Sequence, residues 1–112
     1  MEPQSASLTS DAFQLFLKEA PAHAEAWMTA VQRLSDANSL DEKTRALVYI
    51  GILAALRLES GLPFHVAHAQ RLGATRSDII SAILTGLPAA GMGVLSALPA
   101  AMRGLEVSGA NP

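Results

Sequence analysis

Between Ala46 and Leu56 the chain reads ALVYIGILAAL, with no charged side chain and only the Tyr49 hydroxyl and Gly51 to interrupt it. The acids Asp41 and Glu42 stand just before this run, where the positive end of a helix favours them. A helix that is apolar all round must be covered on most of its sides. The run therefore predicts the buried central helix of a domain around which the other segments pack. In a chain of 112 residues this implies one domain. Hydrophobic residues make up 50% of the sequence, far too many for a disordered polymer. Ala and Leu dominate, and Phe13, Phe16, Phe64, Trp27 and Tyr49 are the only aromatic residues. Strong helix formers thus outnumber strand formers, and the expected class is all-α.

Several functions are excluded or disfavoured on composition. The formal net charge is -2, so there is no basic excess to neutralise phosphates, and nucleic acid is not an expected partner. The absence of cysteine removes disulfides, thiolate metal sites and thiol redox catalysis. The stretch 79–102 carries no charge and is long enough to cross a bilayer. Pro88, Pro99, Gly86, Gly91 and Gly93 interrupt and dilute it, so short buried helices are expected rather than a membrane span. The polar residues 1–10 do not read as a signal peptide, and the cytoplasm is the expected compartment. So much apolar surface on a small helical unit calls for a partner subunit.

Punctuation along the chain predicts about six helices. Ser10-Asp11 starts the first, with Phe13, Phe16 and Leu17 on one face. Pro21 opens the second, whose apolar side holds Trp27, Val31 and Leu34. The central helix starts near Leu40 and ends before the turn Ser60-Gly61-Leu62-Pro63. The fourth runs from about Pro63 to Leu72 and stops at Gly73. Thr75-Arg76-Ser77-Asp78 reads as a capping box opening the fifth, and residues 89–102 form the sixth. The resulting division is a flexible N-terminus over 1–9, a helical domain over 10–103 and a flexible tail over 104–112.

The residues Leu40-Asp41-Glu42-Lys43-Thr44-Arg45, the apolar helix, Gly61-Leu62-Pro63-Phe64-His65, Ala69, Gly73-Ala74-Thr75 and Asp78-Ile79 together resemble the carboxymuconolactone decarboxylase family. That family includes the alkyl hydroperoxidase D proteins. The resemblance covers about residues 40–102. It implies an alkyl hydroperoxidase D-like helical bundle assembled into trimers or hexamers. The family's redox branch carries a Cys-x-x-Cys pair before a helix histidine. With His65 as that histidine, the pair falls on Leu58 and Gly61, and the branch's glutamate falls on Ala46. A thiol peroxidase is thereby excluded. The decarboxylase branch has an acid-Leu-x-x-His turn, of which Leu62 and His65 remain and Gly61 replaces the acid. Its glutamate in the fifth helix falls near Ser81, and its later Gly-x-Pro near Gly91 and Gly93.

His65 is the candidate catalytic residue. Near the start of a helix its imidazole is expected to stay neutral, ready to exchange a proton with a small organic acid or lactone. Such an enzyme would be a lyase of the decarboxylase kind; the alternative is a non-catalytic oligomer that binds small molecules or serves as a scaffold. Arg57, Glu59, Phe64 and His68 are the candidate substrate-binding residues, with Arg57 the arginine nearest the turn. Asp41 and Arg45 are expected to form a surface i, i+4 pair. The His65, His68 and Glu59 spacing suits a metal poorly, and neither metal nor cofactor is expected. His23 reads as a solvated side chain.

Overall fold

A computed structural model describes residues 9–108 of the chain. Three helix starts are set by side chains. Ser10 Oγ accepts from the Phe13 amide at 3.2 Å and opens α1, Asp11–Glu19. A carboxylate oxygen of Asp41 accepts from the Thr44 amide at 2.8 Å and opens α3, Glu42–Ala55. Thr75 and Asp78 exchange two bonds of 3.0 Å, the expected capping box, at the head of α5, Arg76–Leu84. Between these lie α2, Pro21–Ala37, and α4, Leu62–Arg71, the latter entered through a 3-10 turn at Glu59–Gly61.

The ends of α3 and α4 follow one pattern with different residues. After α4 the Gly73 amide bonds the Gln70 carbonyl and the Ala74 amide the Ala69 carbonyl, with Gly73 at φ 103°. This paired arrangement places a left-handed residue just past the helix, where glycine is at ease. After α3 the Arg57 amide bonds Ala54 and the Leu58 amide bonds Leu53, so Arg57 occupies the left-handed position at φ 64°. A side chain there carries steric cost.

The core joins α3, α4, α5 and the C-terminal segments. Ile50 and Ala54 of α3, Leu62 and Val66 of α4, and Ile79 and Ile83 of α5 are sealed from solvent. The expected sixth helix is three pieces instead: α6, Leu87–Ala90, a 3-10 stretch Gly91–Ala97, and α7, Leu98–Ser108. Gly91 at φ 81° and the prolines at the second positions of α6 and α7 account for the breaks. Residues 76–105 pass a length-and-composition test for a membrane span. The longest helix wholly within them, α5, has 9 residues and reaches about 14 Å, roughly half a bilayer core. The folded body also extends past Arg103, because Gly104 and Leu105 of α7 are buried against it. Of the terminal segments read as flexible, residues 1–8 and 109–112 lie outside the described residues.

The central helix departs from its sequence reading. Only one side of α3 is covered within the chain; Val48, Ile52 and Leu56 remain 48%, 47% and 62% exposed. The α1–α2 hairpin likewise hides little, since α1 buries no residue and α2 buries only Ala24. It packs chiefly on itself and leans over one side of α3 and α4.

Candidate functional site

Where the hairpin leans over the body it leaves a cavity of about 460 Å³. One wall is apolar and comes from α2: Trp27, Val31 and Leu34, spaced at i, i+4 and i+7 so that they share a helix face. The facing wall comes from α3, where Glu42, Arg45, Ala46 and Tyr49 recur at helical spacing. His65 and His68 of α4 close the floor, while Ser35 and Asn38 stand at the end of α2.

His65 is the fourth residue of α4 and is half-buried. Its ring lies between two aromatic groups. The Tyr49 ring centre is 4.7 Å away at 58°, and the Phe64 ring meets it edge-on at 5.2 Å. Burial pushes the His65 pKa below its ordinary 6.5, and the neighbouring His68 adds to the shift. The neutral imidazole expected from sequence is therefore the favoured form, with desolvation rather than the helix end as the leading cause.

The other candidates divide. His68 lines the cavity with His65, and Phe64 supports the imidazole from its edge without lining the cavity. Arg57 and Glu59 lie elsewhere. Their side chains approach at 3.7 Å, Glu59 accepts the Ser96 hydroxyl at 2.6 Å, and the Arg57 guanidinium lies over Gly93. The turn that carries them leads chemically to the 3-10 stretch Gly91–Ala97 rather than to the histidines. The arginine at the cavity is Arg45, and its expected pairing with Asp41 is replaced. Asp41 spends its carboxylate on the Thr44 amide and hydroxyl, while Arg45 donates to the Ser35 carbonyl at 3.4 Å. A polar stripe at 42, 45 and 49 on the rim of an otherwise apolar helix was the available sequence clue to this wall.

Two positions tied to the resemblance fall at the site. Ala46 lines the cavity, and a Cβ at Gly61 would stand 3.9 Å from His65 Cδ2. A side chain longer than hydrogen at Gly61 would border the imidazole, and a longer one at Ala46 would enter the cavity lining. His23 lies outside the cavity, in an open apolar groove with Phe13, Phe16 and Trp27. Among the described residues no group of three or more His, Asp or Glu side chains is placed to hold a metal ion.

The profile of the carboxymuconolactone decarboxylase family matches residues 21–103. The chain belongs to that family. Its fold also matches the crystal structure of an apo carboxymuconolactone decarboxylase family protein from Legionella pneumophila. The TM-score is 0.76 at 24% identity, over 96% of this chain and 99% of the other. No curated protein sequence matches the chain. The family match spans α2 to α7, and so takes in every residue that lines the cavity. The α1 helix lies outside the matched segment.

Proposed function

We propose that the His65 cavity is an acid–base site acting on a small organic acid or lactone, by proton transfer or decarboxylation. The observation that carries this is a half-buried imidazole in ring contact with Tyr49 and Phe64, lining a cavity of ligand size, where burial lowers its pKa and favours the neutral form. In proton transfer the imidazole takes a proton from a carbon beside a carbonyl and returns it to another carbon of the same molecule. In decarboxylation the carboxylate leaves as CO2 and its bonding pair passes to the adjacent carbon. That carbon then takes a proton relayed through His65 from water. Neither route needs a thiol. Family membership supports the general class, and general acid–base catalysis supplies about 10²- to 10⁴-fold of rate. The test is deuterium uptake and CO2 release from a panel of keto acids and carboxylated lactones in D2O. His65→Asn should abolish both while leaving the melting temperature within about 2 °C, an effect of a few tenths of a kcal/mol. Equal rates for wild type and His65→Asn would overturn the assignment.

A second copy of the chain is the partner we propose. Thirteen large apolar side chains of the described residues stay exposed. Four of them, Trp27, Val31, Leu34 and Tyr49, line the cavity; at about half exposure the other nine offer on the order of 800 Å², near what each partner covers in a stable interface. Val48, Ile52 and Leu56 form a continuous stripe among them. Beside it a groove between α3 and α5 is floored by the small residues Gly51, Ala55, Ala82 and Gly86. Sedimentation should give a species larger than monomer at micromolar concentration, and Ile52→Glu with Leu56→Glu should reduce it to monomer. A monomeric wild type would remove this partner.

A further inference from the structure

Arg45 is a half-buried cation lacking a carboxylate partner. Among the described residues the only ion pair is between Arg57 and Glu59. Asp41, four residues earlier, is committed to the start of α3. Glu42 is the sole acid of the cavity lining and does not pair with Arg45. The one hydrogen bond the Arg45 guanidinium makes among the described residues, to the Ser35 carbonyl, is long at 3.4 Å and uses one of its five N–H donors. That bond fixes the head group at the polar end of the cavity, where α2 and α3 meet. The remaining donors are in a fork that matches the two oxygens of a carboxylate. Opposite stands the apolar wall of Trp27, Val31 and Leu34. Farther along α3, one turn beyond Arg45, is Tyr49, whose ring leans on His65.

We propose that Arg45 is the carboxylate anchor of this cavity, gripping the acid group of an apolar-bodied ligand whose remainder lies along Trp27 toward Tyr49 and His65. This rests on the acid–base reading for the ligand's fate but not for its binding. It assigns the anchoring role to α3, in place of Arg57 beside the turn. The order along the cavity is then cation, apolar platform, imidazole. A carboxylate held by Arg45 is thereby the ligand's handle and not the group lost in a decarboxylation, and the atom presented to His65 belongs to the other end of the molecule.

Trp27 is the only tryptophan in the chain, so its fluorescence reports on this wall. The full chain is titrated with cyclohexanecarboxylate and, separately, with the neutral cyclohexanecarboxamide of nearly equal shape. A saturable blue shift is expected for the acid, with at least tenfold weaker binding of the amide. Arg45→Gln should erase that preference and Arg45→Lys should keep part of it. The wild-type comparison needs no substitution, so it stands even if Arg45→Gln loosens α2. Equal binding of acid and amide by wild type, or acid preference retained in a folded Arg45→Gln, would overturn the proposal. Trp27 also borders the groove beside Phe13 and Phe16, and binding there would be indifferent to Arg45. His65→Asn should keep the acid preference. Turnover retained in His65→Asn with the acid preference intact would sink the acid–base reading alone, whereas turnover lost in His65→Asn with acid and amide bound equally by wild type would sink the anchor alone.

Discussion

The placement of His65 depends on how closely α7 approaches α4, and Gly104→Ala measures that dependence. A Cβ on Gly104 would stand 2.5 Å from the Pro63 carbonyl oxygen, 2.9 Å from Val66 Cβ and 3.0 Å from Pro63 Cα. Two of the three atoms are backbone, so no flexible side chain can move aside. Alanine in a helix interior is favoured over glycine by about 1 kcal/mol. Forcing a methyl into a packed interface costs about 1–3 kcal/mol, and the backbone partners here place the cost in the upper half of that range. The net expectation is a loss of about 1–2 kcal/mol, a fall in Tm of roughly 5–15 °C. Gly51→Ala is the internal control. Its Cβ would meet only the Ala82 carbonyl oxygen, at 3.0 Å, and a shift of a few tenths of an ångström would relieve it. Propensity and crowding then nearly offset, and Tm should move by less than about 4 °C, under 1 kcal/mol. Both variants are melted at one protein concentration, because assembly would make Tm concentration-dependent. A Gly104→Ala protein as stable as wild type would show that α4 and α7 have slack between them, and with it that His65 is not held by this contact.

Further outcomes concern the caps, the strained helix end and pH. Thr75→Ala removes the acceptor for the Asp78 amide and one half of the capping box, and should cost about 1 kcal/mol in urea unfolding. Arg57→Gly frees a left-handed residue from its side chain at the expense of an exposed ion pair worth little. It should raise stability by about 0.5–1 kcal/mol, and a loss of that size would mean that the Arg57 and Glu59 contacts outweigh the strain. Burial lowers the folded-state pKa of His65, so as pH falls below 6.5 the unfolded chain binds the proton first. The stability linked to keeping this ring neutral is complete above pH 6.5, declines as pH falls through the window down to the folded value, and is flat below it. Between pH 8 and pH 5 the urea midpoint of wild type should fall relative to that of His65→Phe as pH drops; parallel curves would show that the ring titrates freely. For the same reason the acid limb of any proton-transfer rate should lie below pH 6.5.

The parts of the fold that could be read from the chain are those decided by neighbours in sequence. Ser10, Asp41 and Thr75 bond amides three residues away, and Gly73 turns its own helix end, so each is fixed by local geometry. The place of His65 in the first turn of α4 was legible because the turn before it is local too. What stayed hidden was set by competition between partners that lie apart. Asp41 had two claims on it, the Thr44 amide and Arg45, and the helix start won because an amide at 2.8 Å needs no flexible side chain to be ordered. Arg45 was thereby released to the end of α2, ten positions back along the chain, where no spacing rule looks. Arg57 stood nearest the turn in sequence, yet the left-handed backbone at that residue carries its side chain toward Gly93 and Ser96's neighbour Glu59. The exposed side of α3 has the same origin. Hydropathy says that an apolar helix favours cover but not what supplies it, and Val48, Ile52 and Leu56 stay exposed in the single chain. Both departures meet at one place. The helix whose exposed stripe is the proposed contact with a second copy also presents Arg45 and Tyr49 to the cavity, so if that proposal holds, Ile52→Glu with Leu56→Glu should alter carboxylate binding in the Trp27 titration as it dissociates the assembly.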